Sequence, residues 1–323
     1  MHTFEELAHQ YGNYLLENAF IGTPENLYDP MNYILGLGGK RIRPVLALMG
    51  YNLFKDHLEE DAFHVAHTVE LFHNFSLIHD DIMDEAPLRR GNATVHTKWN
   101  MATAILSGDL MLVKAYERLL KSNPTFWPSL LEVFNQAATD VCEGQQKDMD
   151  FEHRTDVTEA EYIDMIRQKT AVLLGASLQM GALVAGAGAD TAKGLYRFGV
   201  NAGLAFQIMD DYLDVFGAAN SGKQAGGDIV ANKKTLIYLL ANAAGNDLDR
   251  SDLNHWYSLK GEVPGKVSAV TQIFQKLEAD QIALATADAF YMKADMELQH
   301  LNLETDKMKP LNELINILKG RTS

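Results

Sequence analysis

Two short stretches hold residues that could do chemistry, and they share a spacing. "HDDIMDEAPLRRG" contains Asp80, Asp81 and Asp84, and "FQIMDDYLD" contains Asp210, Asp211 and Asp214. In both, carboxylates stand at i, i+1 and i+4 near the end of a largely apolar run. On a helix the first and third stack on one face, and the second sits about 100° round from the first. Like charges four apart cost a helix only roughly 0.2–0.5 kcal/mol, so one such cluster reads as an ordinary acidic helix end. Two together read differently. Six carboxylates that are buried or half-buried must be neutralised, because an unpaired buried charge costs several kcal/mol. Hard divalent cations do this with oxygen ligands, and Mg2+ takes one or two carboxylates together with waters and phosphate oxygens. The spacing therefore asks for a polyphosphate substrate. Neither stretch has the glycine and terminal Glu of an EF-hand loop, which argues against calcium sensing.

The cations gather at a few motifs. "GLGGKRIRP" sets Lys40, Arg41 and Arg43 on a glycine-rich turn ahead of a helix. The Walker A spacing fails there, but such a turn can hold a diphosphate through arginine forks and backbone N–H groups. Arg89 and Arg90 follow the first triplet. Lys169 and Thr170 lie in "RQKTA", and Lys223 and Lys233 flank the glycine-rich piece after the second triplet. Each cation alone would be an ordinary solvated surface charge. Their grouping stands out because the chain carries 28 Lys and Arg against 43 Asp and Glu, a net charge of −15. That balance excludes a nucleic-acid partner, whose affinity comes mostly from neutralising phosphates.

Helices must position these groups. "AFHVAHTVELFHNFSLIHD", "MATAILSGDLMLVKAYERLL", "PSLLEVFNQAATDVCEGQQKDMDF", "TEAEYIDMIRQKTAVLLGASLQMG" and "KGLYRFGVNAGLAFQIMDDYLDVFG" all carry apolar residues at a period of 3.6. Asp61 is expected to open the first, Pro128–Ser129 the third, and Thr158 with Glu161 to form a capping box for the fourth. No alternating run bounded by hairpin turns appears. With no repeat and no linker, residues 1–323 read as one all-α domain of many long helices. The stretch Thr170–Ala189 is uncharged over twenty residues, yet its Gly, Ala, Ser and Gln fit a buried helix better than a membrane span. Cys142 is the single cysteine, so no internal disulfide or cysteine-based zinc site is possible. The start lacks the basic flank and apolar core of a signal peptide, and a cytoplasmic location is expected.

"GGKRIRP", "HDDIMDEAPLRRG", "QKT", "FQIMDDYLD" and "NKKT" occur in the order seen in trans-isoprenyl diphosphate synthases, the polyprenyl synthetase family, which the chain resembles from about Gly36 to Thr235. The resemblance implies an all-helical homodimer in which the two aspartate-bearing helices of each subunit face one central cavity. It implies that Asp80, Asp84 and Asp210 bind three Mg2+ ions holding an allylic diphosphate, with Asp81, Asp211 and Asp214 in support. Arg89, Lys169 and Lys233 would grip that diphosphate. Lys40, Arg43, His73 and Arg90 would hold isopentenyl diphosphate. Thr170 and Gln207 would border the developing allylic cation, and Lys223 is carried along as a substrate-binding position. Lys234, beside Lys233, could exchange roles with it. The implied reaction is head-to-tail prenyl transfer. The uncharged helix from Ala171 would exclude water from the cation.

Rivals are a terpene cyclase, whose second metal motif mixes Asn or Asp with Ser or Thr and Glu, and an inactive regulatory subunit of a synthase, which would tolerate losing one triplet. Both triplets are complete here. In this family bulk just before the first triplet acts as a floor for the growing chain. Phe75 and Ser76 occupy those positions, with Phe72 one turn deeper. On an ideal wheel Ser76 falls about 40° from Asp80 and Phe75 about 140° away, so the small serine leaves the wall open. Geranylgeranyl diphosphate is the expected product and farnesyl diphosphate the alternative.

Overall fold

Apolar side chains recurring every three to four residues drive the chain into helices, and their length follows the pattern. The computed structural model describes residues 2–217, 226–301 and 303–319. The first helices are α1 (Phe4–Glu17), α2 (Glu25–Gly36), α3 (Ile42–Asn52), α4 (Glu60–Met83), α5 (Val95–Lys98), α6 (Met101–Leu119) and α7 (Trp127–His153). Next come α8 (Glu159–Ile166), a π-helical turn (Arg167–Ala171), α9 (Val172–Val184) and α10 (Ala189–Phe216). The remainder is α11 (Gly227–Val230), α12 (Leu236–Ala244), α13 (Asp247–Ser258), α14 (Lys266–Lys276), α15 (Ala279–His300) and α16 (Thr305–Lys319). The fold is all-α, as the periodicity predicts. No described helix is long and apolar enough to cross a membrane. The uncharged stretch is buried helix, with Ala176, Ser177, Leu178 and Met180 fully enclosed.

The chain forms two compact units. One comprises Met1–Ala138, Leu173–Tyr196 and Leu301–Leu311, and the other Thr139–Val172, Arg197–His300 and Asn312–Ser323. In the first, α4 packs against α3 and α6 and buries Val65, Ala66, Val69, Leu71 and Phe72. The second is built on Tyr162 and Met165 of α8, Ile208 of α10, Leu236 and Ile237 of α12, Phe274 of α14 and Ala283 of α15.

Local starts follow side-chain chemistry. Thr158 and Glu161 form the expected capping box. Asp61 does not open its helix. It lies in the first turn of α4, and its carboxylate accepts the Asn123 N–H at 3.1 Å. The third run begins at Trp127, after a 3-10 turn, Pro124–Phe126, capped by the Asn123 side chain. A feature absent from the sequence reading is a two-residue antiparallel hairpin, Leu88–Arg89 with Asn92–Ala93. Its central residues, Arg90 and Gly91, both have positive φ, the geometry that matches the twist of paired strands.

Candidate active site

The first aspartate triplet closes α4. Asp81 is 1% exposed, and Arg89 grips it from the hairpin: Nε lies 2.9 and 2.8 Å from the two carboxylate oxygens, and Nη2 lies 2.7 Å from Oδ1. The same Nη2 stands 3.6 Å from Asp80 Oδ2. Burial works against the Arg89 charge, but the Asp81 hydrogen bonds and charge outweigh it and hold its pKa above the usual value. Asp80 is half-buried, and Asp84 is exposed at the C-cap of α4. The wheel placed Asp81 away from Asp80 and Asp84, and the structure turns Asp81 inward to an arginine.

Arg90 points elsewhere. The hairpin turn sends its guanidinium to the Gly38 carbonyl, so adjacent arginines meet different partners. Gly39 has φ +116, and a Cβ built there would lie 2.8 Å from the Arg90 guanidinium. The positive φ favours glycine there, and any side chain would have to displace the Arg90 guanidinium. The same glycine-rich turn leads through exposed Lys40 to Arg41, which has φ 50 and starts α3. Arg41 pairs with buried Glu70 of α4 and donates to the Leu35 carbonyl. Asn74 Nδ2 donates to Glu70 Oε1 at 3.0 Å. Arg43 Nη1 lies 3.0 Å from His73 Nε2. Burial lowers the Arg43 pKa to about 10, still protonated at neutral pH. Burial, and after it the neighbouring arginines, push the His73 pKa well down. Neutral His73 therefore accepts at Nε2 and carries its proton on Nδ1. Arg43 with His73, and Arg90 with the turn bearing Lys40, thus form two linked pairs.

The positions proposed to set product length lie on the same helix. Buried Phe72 meets Phe75 with rings tilted at 5.6 Å and Phe134 edge-on at 5.5 Å, and Phe75 meets the His79 ring at 4.8 Å. The Ser76 hydroxyl folds back to the His73 carbonyl at 2.8 Å.

The second triplet lies on α10 in the other unit. Asp211 is 5% exposed. The Tyr162 hydroxyl donates to its Oδ2, and Gln207 Nε2 donates to its Oδ1 at 3.0 Å. Burial, then the Asp228 charge, push its pKa up to about 7. Asp210 is half-buried. Asp214 accepts the Asp228 N–H at 2.9 Å and so helps fix the start of α11. A cavity here is lined by Lys169, Thr170, Gln207, Asp211, Asp228 and Lys233, among others.

The π turn delivers two of these. Lys169 Nζ reaches Asp148 of α7 at 2.5 Å, and Thr170 Oγ1 donates to Gln207 Oε1 at 3.1 Å. A π turn inside an otherwise α-helical run often marks a functional site. Lys233 is exposed and lines the cavity. Lys234 donates to the carbonyls of Phe151, Glu152 and Arg154, a cation at the C-terminal end of α7, where the helix dipole favours it. The two neighbouring lysines thus stand differently, Lys233 on the cavity wall and Lys234 on the carbonyls at the end of α7. Lys223 lies outside the described residues.

Sequence reasoning missed Glu70, Asp148, Tyr162 and Asp228, none of which carries a local signal. It also missed Gly144, where a Cβ would lie 2.3 Å from the backbone nitrogen of Lys169. Gly144→Ala is expected to force α7 and the π turn apart, lowering stability by about 1–3 kcal/mol as overpacking does. Thermal unfolding and turnover should fall together, and an unchanged melting temperature would show that the close approach is not needed.

A magnesium centre fits this donor set. The carboxylates offer hard oxygen ligands, and Asp211 and Asp228 line one cavity, where the Asp228 charge, after burial, raises the Asp211 pKa. Among the described residues no three carboxylate, imidazole or thiolate groups converge as a ready-made cage.

Comparison with known proteins gives the same direction. The family model for polyprenyl synthetase matches residues 24–277. A geranylgeranyl diphosphate synthase of Methanosarcina mazei is 42% identical over 229 residues, 70% of each chain. One of Sulfolobus acidocaldarius is 32% identical over 309 residues, covering 94% of this chain and 92% of that one. A crystal structure of a geranylgeranyl pyrophosphate synthase matches over 100% of both chains with 41% identity and a TM-score of 0.95.

Proposed function

This chain belongs to the polyprenyl synthetase family, and from that premise we propose that it is a trans-prenyltransferase making geranylgeranyl diphosphate from isopentenyl diphosphate and allylic diphosphates. The observation that carries this reading is the pairing of acids with cations in both units. Arg89 stands against Asp80 and Asp81, and Lys169 and Lys233 line one cavity with Asp211. Asp80, Asp84 and Asp210 would hold Mg2+, with three ions per site as the expectation, while Asp81, Asp211 and Asp214 support them through the contacts described. Positive charge on the departing diphosphate oxygens is what bound Mg2+ supplies.

The protein's own groups do the rest. Arg89, Lys169 and Lys233 grip the allylic diphosphate. Lys40, Arg43, His73 and Arg90 hold isopentenyl diphosphate, the His73 imidazole as a neutral Nδ1–H donor. The Thr170 and Gln207 oxygens face the carbon where positive charge develops, and Ala171 with its apolar neighbours keeps water away. The double bond of isopentenyl diphosphate attacks that carbon, and the lost proton leaves with diphosphate. The whole chain is taken as one catalytic domain, working as a cytoplasmic homodimer.

The test is incubation of purified protein with Mg2+, isopentenyl diphosphate and each allylic diphosphate in turn, with products separated by length. Ser76 is the lever on that length. Its hydroxyl is turned back onto α4, so Ser76→Phe adds a ring to the wall and is expected to shorten the main product by at least one isoprene unit. Phe75→Ala should lengthen it. If neither substitution moves the distribution, the floor lies elsewhere, with Phe72 the next candidate. Farnesyl diphosphate as the wild-type end point under excess isopentenyl diphosphate would overturn the product assignment and leave the reaction class intact.

A further inference from the structure

Tyr162 lies in α8, eight residues before Thr170, in a stretch with no motif of its own. It is 4% exposed, yet its hydroxyl is not idle: it donates to Asp211 Oδ2. From there the contacts form one chain. Asp211 Oδ1 accepts from Gln207 Nε2 at 3.0 Å, and Gln207 Oε1 accepts from Thr170 Oγ1 at 3.1 Å.

An amide can present either end, and here the Asp211 carboxylate chooses. Because Oδ1 is an acceptor, it draws the NH2 end of Gln207 and leaves the carbonyl end beside Thr170. The Asp211 carboxylate could itself rotate. Tyr162 opposes that by donating to the other oxygen, from a side chain buried in the same core cluster as Met165, Ile208 and Leu236.

We propose that Tyr162 is a positioning residue: through Asp211 it aims the Gln207 carbonyl, with Thr170, at the developing allylic cation. Resting on the transferase reading above, this adds a determinant three contacts from the reacting carbon. Without the hydroxyl, the Asp211 carboxylate loses one of its two anchors and can tilt away from Gln207 Nε2, so the amide is held less firmly and its carbonyl oxygen is no longer fixed toward the cation.

The test is Tyr162→Phe, which keeps the ring and removes the bond. Turnover is expected to fall about tenfold, the factor for one hydrogen bond's worth of transition-state stabilisation, with the Michaelis constant for isopentenyl diphosphate unchanged. A binding measurement separates aiming from packing. Calorimetry in Mg2+ compares a bisphosphonate bearing a protonated amine near its head with the isosteric neutral carbon compound. Wild type should prefer the cation, and Tyr162→Phe should lose about tenfold of that preference while binding the neutral compound equally. In a Gln207→Leu background, Tyr162→Phe should add nothing, because it acts through the amide. Should Tyr162→Phe fail to fold by circular dichroism, Asp211→Asn tests the same link, with the same loss of cation preference expected. An undiminished preference together with additive effects of the two substitutions would overturn the proposal. Wild type that makes no prenyl product would overturn the transferase reading instead.

Discussion

Asp80→Ala and Asp210→Ala are each expected to lower turnover by about a thousandfold or more, with helical content unchanged. Metal-borne stabilisation of a departing diphosphate is worth several kcal/mol, and each 1.36 kcal/mol is tenfold in rate. The structure explains why the loss should be confined to function. With Asp80 gone, Arg89 keeps its two-pronged hold on Asp81. With Asp210 gone, Asp211 keeps Tyr162 and Gln207. Asp81→Ala serves as the contrast. It breaks the two-pronged hold and leaves Arg89, which is 22% exposed at its side chain, with the longer 3.6 Å approach to Asp80, so stability should fall along with rate. Turnover at saturating substrate, calorimetry of Mg2+ with inorganic diphosphate, and circular dichroism give the three readouts. Near-normal turnover in either alanine variant at moderate Mg2+ would sink the metal assignment.

Glu70→Ala should be among the most destabilising single changes in the protein. The Glu70 side chain is 3% exposed and that of Arg41 12%. Removing one partner of such a pair typically costs about 3–5 kcal/mol, because the other charge is left buried and uncompensated. Arg41 also sits in the left-handed region at the head of α3. Its side chain ties the glycine-rich turn to α4, so losing that tie should loosen Lys40 and Arg43. The expected pattern is a large drop in the denaturation midpoint and a rise in the Michaelis constant for isopentenyl diphosphate that exceeds the rise for the allylic substrate. A midpoint within experimental error of wild type would show that Arg41 finds compensation elsewhere, starting with the Leu35 carbonyl.

The helical architecture was legible because a 3.6-residue apolar period has one structural meaning, and it runs through most of the chain. That Asp81 and Asp211 point away from their triplet neighbours was legible too, since one residue of helix is about 100° of rotation, but that they turn inward to Arg89 and Tyr162 was not. The split between Arg89 and Arg90 followed from adjacency, but the hairpin that produces it did not, because an Arg-Gly pair is no hairpin signature. The partners were the least legible part. Tyr162 lies 49 residues from Asp211 in sequence, Lys169 lies 21 from Asp148, and Arg41 lies 29 from Glu70. No local rule couples positions that far apart. Lys233 and Lys234 show the same limit in miniature. Identical side chains stand side by side, and only the carbonyls at the end of α7 distinguish them.

The π turn at Arg167–Ala171 changes what an insertion or deletion would mean here. A helix interrupted this way holds one residue more in that turn than its neighbours do. Each residue of α-helix is worth about 100° of azimuth. Dropping one residue between Arg167 and Ala171 would let the turn relax into regular α-helix, with little change in helix length. Thr170 would be swung out of phase with Gln207 all the same. Along this segment the genetic text is thus read as an angle before it is read as a distance, and a gap that looks harmless in an alignment amounts to a rotation of Thr170 against Gln207.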